Sequence, residues 1–240
     1  MNIFLDIETV PAQDPDAIAM LRAEADEEKL LIKAPSNYKD EAKIKEYILA
    51  KQIEIDTAFE ERYRKTSFDG AFGQIACIGY AIDDEPAQSV WSLEWNENEY
   101  DVLTSFYRIL NERINSNEQM RPTFIGHNII GFDLRFLHQR SVMLSIKPPP
   151  FIPFKAKPWD TVVFDTMLDW AGVGNRVSMD KLCKIFYLDP KGSELGEEID
   201  GSKVWDFVKD GRIADVAIYC EGDVRRTRDI YNRLNFIGVD

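Results

Sequence analysis

Cysteine and histidine are scarce in this 240-residue chain: Cys77, Cys183 and Cys220 are the only thiols, His127 and His138 the only imidazoles. Three scattered cysteines without paired spacing exclude a disulfide framework and read as reduced, mostly buried thiols of a cytoplasmic protein. Two histidines leave a His/Cys zinc site without enough ligands, so any metal must be held by oxygen. No apolar run approaches the ~18–20 residues needed to span a bilayer. The N-terminal MNIFLDIETVP lacks the basic segment and long apolar stretch of a secretory signal. Positive charge is also in short supply: 29 basic against 42 acidic residues give a net charge of −13. That balance argues against a broad electrostatic footprint on nucleic acid. It leaves room for an enzyme that grips a few phosphates through metal ions and a small basic patch.

What is present is an ordinary globular mixture, 45% hydrophobic and 30% charged, of a length that suits one large domain. Residues 2–5 form an apolar run into Asp6-Ile7-Glu8 and read as a buried strand stopped at Val10-Pro11. From about 14 to 63 the chain turns Ala-, Glu- and Lys-rich with apolar residues every three or four positions. This predicts two or three helices interrupted near 34–37, a helical insertion over about 11–70. Its 10 basic and 14 acidic residues do not make an obvious DNA-binding arm. Strands are expected at 73–82, 88–93, 123–125 and 161–164. Helices are expected at 98–114, 132–139, 179–186, 203–208 and 213–234. The five prolines of 148–158 force an extended loop, and a Gly- and acid-rich loop runs to about Gly201. Strands first with helices interleaved suit one α/β domain over 1–240.

Asp6 and Glu8, at i and i+2 of a strand, point to the same side. Two like charges ~4 Å apart repel by about 4 kcal/mol at an effective dielectric of 20. A divalent cation would remove that repulsion; a solvated strand end would also tolerate it. Asp133 follows Gly126-His127-Asn128 and falls in the first turn of a helix, where an acid either complements the helix dipole or serves a site. Tyr219 and Asp223 are i and i+4 on the last helix, hence neighbours on one face. Asp223 lies at the edge of that helix's buried stripe. Gly222, costly in a helix interior, points to close approach of another backbone.

An acid pair on the first strand, an acid opening a mid-chain helix, and an acid four residues after a tyrosine on a C-terminal helix together resemble the DEDD exonucleases. Ile218 stands where the histidine subclass needs its histidine, so the tyrosine subclass is the closer likeness. Phe4–Pro11, Gly73–Tyr80, Gly126–Leu137, Gly201–Trp205 and Tyr219–Val224 resemble the stand-alone 3′–5′ exonucleases related to family B DNA polymerase proofreading domains. The resemblance spans the chain except the 11–70 insertion and the proline-rich loop. It implies a ribonuclease-H-like mixed β-sheet flanked by helices, with Asp6, Glu8, Asp133 and Asp223 converging as metal ligands and, with Tyr219, as the catalytic set.

Four carboxylates without histidine suit Mg²⁺ or Mn²⁺. The resemblance implies two ions per site roughly 3.5–4 Å apart, Asp6 bridging, and release of nucleoside 5′-monophosphates. Tyr219, a phenol with an ordinary pKa near 10, would orient the attacking water and not act as base. Glu8 would also hold the terminal 3′-hydroxyl. Asn128 and Phe132 are candidate contacts to the substrate strand, the ring by stacking, although Phe132 also suits the core. Asp165 is either a site residue or a strand-end turn. Arg225, Arg226, Arg228 and Lys191 either contact phosphate or lie on solvated faces. The expected partner is DNA with a free, single-stranded 3′ end, in repair or replication proofreading beside a separate polymerase or other replication protein; no membrane is expected. RNA is the alternative substrate, and a catalytically silent binding module the alternative class.

Overall fold

A computed structural model describes residues 1–115, 121–196 and 199–238. The acid-rich loop expected before Gly201 is therefore described except at 197 and 198. Two compact units are distinguishable: Pro11–Gln74, and Met1–Val10 with Ile75–Asp240.

The larger unit is built on a five-stranded mixed sheet in the order β3-β2-β1-β4-β5. The strands are β1 (Asn2–Val10), β2 (Gln74–Ile82), β3 (Gln88–Trp91), β4 (Thr123–Gly126) and β5 (Val163–Asp165). β2 and β3 form an antiparallel hairpin, and β4 lies parallel to both β1 and β5. This is the α/β, ribonuclease-H-like sheet expected from the sequence. Phe4, opposite Ile125, is the last β1 residue paired with β4, and Gly126 lies opposite Asp165. β1 therefore runs on past the ends of its parallel neighbours, and Asp6 and Glu8 lie on that overhang. Loops at the carboxyl ends of parallel strands are where open α/β sheets place their ligands.

The helices of this unit are α3 (Glu99–Asn115), α4 (Asp133–Met143), α5 (Thr166–Ala171), α6 (Met179–Phe186), α7 (Val204–Lys209) and α8 (Ile213–Leu234); α1 and α2 belong to the other unit. Ile3, Leu5, Ile78, Leu103, Phe106, Phe124 and Phe136 form the main core. A second core of Val10, Cys77, Val204, Val216, Tyr219 and Cys220 seats α7 and α8. A buried ion pair joins α3 and α4: Glu99 accepts from Arg140 Nε at 2.8 Å and Nη2 at 2.6 Å, and from the Ile75 N–H at 2.8 Å. α5 was not expected. Asp165, read as either a site residue or a strand-end turn, caps it by accepting from the Met167 and Leu168 N–H groups.

Gly79 fixes how closely α8 meets β2. A Cβ there would lie 2.8 Å from Cys220 Sγ, 3.0 Å from Val224 Cγ2 and 3.2 Å from the Cys220 carbonyl. Gly79→Ala is expected to cost about 1–3 kcal/mol by overpacking and to lower Tm by roughly 2–10 °C. Thermal unfolding of the pair checks it; an unchanged Tm would show that α8 can shift without cost.

The smaller unit contains α1 (Pro15–Leu30), α2 (Glu41–Lys65) and a 3₁₀ turn, Thr66–Phe68. Asp14 and Asp40 cap the two helices. Ala25 is the single buried residue of α1, and α2 has none. Ion pairs of Asp56 with Lys29 (2.7 Å) and Arg22 (2.9 Å), and of Arg62 with Glu28 (2.9 Å), join the helices instead. Among the described residues no helix is long and apolar enough to cross a membrane.

Candidate active site

Ligand oxygens of Asp6, Glu8 and Asp223 lie within 4.8 Å of one another. Strand alternation supplies the first two; α8, held by the second core, brings up the third. Glu8 is 9% exposed and Asp223 1%, so these charges are largely out of water. Asp133 opens α4 beside them, and its Oδ1 accepts from the Ile7 N–H at 3.1 Å. The peptide between the two β1 acids thus fixes the fourth carboxylate, which does not join the 4.8 Å group.

Burial, then the charges of Asp223 and Asp133, push the Asp6 carboxyl well above the ordinary range. Burial and the neighbouring Asp6 do the same to Glu8. Asp133 is pushed up to about 7, chiefly by burial, against the pull of its backbone hydrogen bonds. Asp223 is raised by burial, with Lys191 and Arg226 opposing. Oxygen donors that strain against their own charge are the donor set a hard divalent cation relieves. The residues present therefore fit such an ion.

Tyr219 is fully buried. Its hydroxyl has no hydrogen-bond partner among the described residues. Burial, Glu8 and Asp223 raise its pKa far above the ordinary phenol value. The group keeps its proton and can donate, and it cannot act as a base at neutral pH. An orphaned donor beside three carboxylates is the kind of group a water would satisfy.

Lys191 enters this cluster. Its Nζ is 2.6 Å from Asp223 Oδ2 and 5.2 Å from the centre of the Tyr219 ring. Burial works against its charge, but Asp223, Asp6 and Glu8 outweigh burial and raise its pKa above the usual lysine value. Arg226, read as either a phosphate contact or part of a solvated face, is 2% exposed and hydrogen-bonded to Asp223 Oδ1 at 3.3 Å. Gly222 does permit a close approach, but by the Glu194 carboxylate and not by another backbone. Arg225 pairs with Glu194 at 3.3 Å, and Arg228 donates to the Glu85 carbonyl at 2.6 Å.

The three weaker candidates have structural partners. Both Asp165 oxygens accept backbone N–H groups, from Asn128 (3.0 Å) and Met167 (3.1 Å) on one and Ile130 (3.3 Å) on the other. Asn128 has φ +66°, a left-handed conformation asparagine tolerates, and its carbonyl accepts from the Phe132 N–H at 2.9 Å. Phe132 packs against Phe136 at 5.6 Å, at the margin of the main core. Cys220, expected only as a buried thiol, directs its Sγ at Asp6 Oδ2, 3.4 Å away.

Residues 68–238 match the family model described as a predicted 3′–5′ exonuclease related to the exonuclease domain of PolB. The chain belongs to that family. The matched span of this PolB-related exonuclease contains Asp133, Tyr219 and Asp223 and begins after β1, so Asp6 and Glu8 lie outside it. The exonuclease fold is also similar to a solved structure, the family B DNA polymerase from the hyperthermophilic archaeon Pyrobaculum calidifontis, with a TM-score of 0.53 at 16% identity. That likeness covers 70% of this chain and 22% of the polymerase chain. No curated protein matches this PolB-related exonuclease.

Proposed function

We propose that the protein is a divalent-cation-dependent 3′–5′ exodeoxyribonuclease that releases nucleoside 5′-monophosphates from single-stranded 3′ ends. The observation that carries this reading is the meeting of Asp6, Glu8 and Asp223 near the buried Tyr219 hydroxyl, which has no partner among the described residues, in a chain of this family. Asp6, Glu8 and Asp223, with Asp133 behind them, would hold Mg²⁺ or Mn²⁺, two ions per site. When bound, such ions neutralise phosphodiester oxygens and acidify water. Tyr219 donates its O–H to the attacking water and sets its direction. Lys191, the nearest side-chain cation, leaves Asp223 to meet the phosphate. Asn128 and Phe132 contact the substrate strand, and Asp165 supports them by bracing the 128–130 turn. Repair or replication proofreading in the cytoplasm, with a separate polymerase as partner, is the setting this activity fits.

The test is digestion of a 5′-labelled single-stranded DNA, and of the same sequence as RNA, with Mg²⁺ or Mn²⁺. A ladder shortening from the DNA 3′ end is expected, and none from Asp6→Ala or Asp223→Ala. A ladder on RNA alone would move the substrate to RNA. No ladder on either, from folded protein, would leave a binding module.

A further inference from the structure

Lys191 sits on a loop ill-suited to hold a side chain in place. Gly192 and Gly196 both take positive φ, +74° and +68°, conformations that glycine supplies at a large entropic cost. What fixes the loop is Arg226. Its Nε donates to the Asp189 carbonyl at 3.1 Å. Its Nη2 donates to the Pro190 carbonyl (2.5 Å), Ser193 Oγ (3.2 Å) and Glu194 Oε1 (2.6 Å). Its Nη1 donates to Asp223. All three guanidinium nitrogens are used, and four of the five partners lie on 189–194, on either side of Lys191. Glu194 reaches Arg226 only because Gly222 has no side chain: a Cβ there would overlap the Glu194 carboxylate and lie 2.6 Å from Arg226 Nη1. Glu194 Oε2 is buried without a partner among the described residues, a cost that loop packing alone would not require.

We propose that Arg226, Glu194 and the notch at Gly222 form a clamp that sets Lys191 against the carboxylate cluster, which makes Arg226 and Glu194 positioning residues of the site. The proposal rests on the exonuclease reading for its catalytic consequence, and on geometry alone for the clamp. Until substrate draws it away, Lys191 is held 2.6 Å from Asp223; its ammonium then opposes an incoming cation, and the clamped loop starts it from the same place in every molecule.

Gly222→Ala is the sharpest probe, because alanine is the better helix former and a role confined to the helix predicts a more stable, fully active protein. In the full chain, Gly222→Ala is expected to speed hydrogen exchange of 189–196 at least tenfold while α8 stays protected. It should tighten Mn²⁺ binding at least threefold by isothermal titration, as Lys191→Ala should; general damage to α8 would weaken binding instead. It should also lower kcat on labelled DNA to the level of Lys191→Ala, and the double variant should fall no further. Glu194→Gln, which keeps the shape and removes the charge, should show the same effects at smaller size. Unchanged exchange in both variants, or additive kcat losses in the double variant, would overturn the clamp. If wild-type protein neither binds Mn²⁺ nor cleaves DNA, the exonuclease reading fails, and the exchange of 189–196 alone decides the clamp.

Discussion

Asp6→Asn and Asp223→Asn are expected to remove 3′-end hydrolysis, each with at least a ~10³-fold loss of kcat, equivalent to about 4 kcal/mol of transition-state stabilisation. Both substitutions keep the side-chain shape and delete one charge. Their effects on stability in EDTA are expected to have opposite signs. Asp6 lies beside Glu8, its carboxyl raised by burial and by the charges of Asp223 and Asp133. Asparagine there relieves repulsion, gaining about 1 kcal/mol and raising Tm by about 2–4 °C. Asp223 instead carries the cations of the site, Lys191 at 2.6 Å and Arg226 at 3.3 Å. Its neutralisation strands them, and removing one partner of a buried pair costs about 3–5 kcal/mol. Lys191 can turn toward Asp6 or Glu8, so the loss falls at or below the lower figure. Calorimetry in EDTA beside the labelled-oligonucleotide assay reads both quantities. Tm shifts of the same sign would contradict this account of the charges, and retained hydrolysis would contradict the site itself.

The contrast between Asp6 and Asp223 also marks where sequence reasoning runs out. The fold class was legible because most elements carry a local signal: a continuous apolar run in 74–82, buried throughout, a helical stripe in 98–114, and a long periodic run at 213–234. Asp6 and Glu8 share a side because any strand places i and i+2 together. α5 escaped notice because six residues, Thr166–Ala171, are too few to show a period. Arg226 was left between a phosphate contact and a solvated face because its position on α8 is off the apolar stripe. What buries it is a loop more than 30 residues earlier, and no local pattern encodes that meeting. Gly222 was legible as a place of close approach, since glycine in a helix needs a reason, but its neighbour proved to be a carboxylate. The family match is silent on β1, so the acid pair is known from strand geometry and from the cluster it joins.

In metal-free protein, stability is expected to fall as pH rises from about 4 to 7, opposite to the behaviour of carboxylates that are ion-paired in the folded state. Unfolded Asp and Glu titrate near 3.9 and 4.3. In the folded chain Asp133 is pushed up to about 7, and Asp6 and Glu8 are raised well above the ordinary range. Between those limits the folded state binds more protons than the unfolded state, so the slope of unfolding free energy with pH is negative. A three-unit rise at Asp133 alone corresponds to about 4 kcal/mol, an upper bound. Lys191, raised above its ordinary value, holds its charge throughout this window and adds no slope there. A divalent cation reverses the trend, because it must displace the protons to bind. Its affinity is expected to rise by up to tenfold per pH unit for each proton displaced between about pH 5 and 7. The Tm gain from saturating Mg²⁺ should therefore be small at pH 5 and largest near pH 8, with hydrolysis rising over the same interval and levelling above it. Asp133→Asn removes one group together with its charge on Asp6 and Glu8: it should flatten the metal-free slope while leaving the part that burial imposes on those two carboxyls. A metal-free Tm that climbs from pH 5 to 8 would mean that these carboxylates are stabilised as anions by the fold itself. The acidic cluster would then have no electrostatic need of a cation.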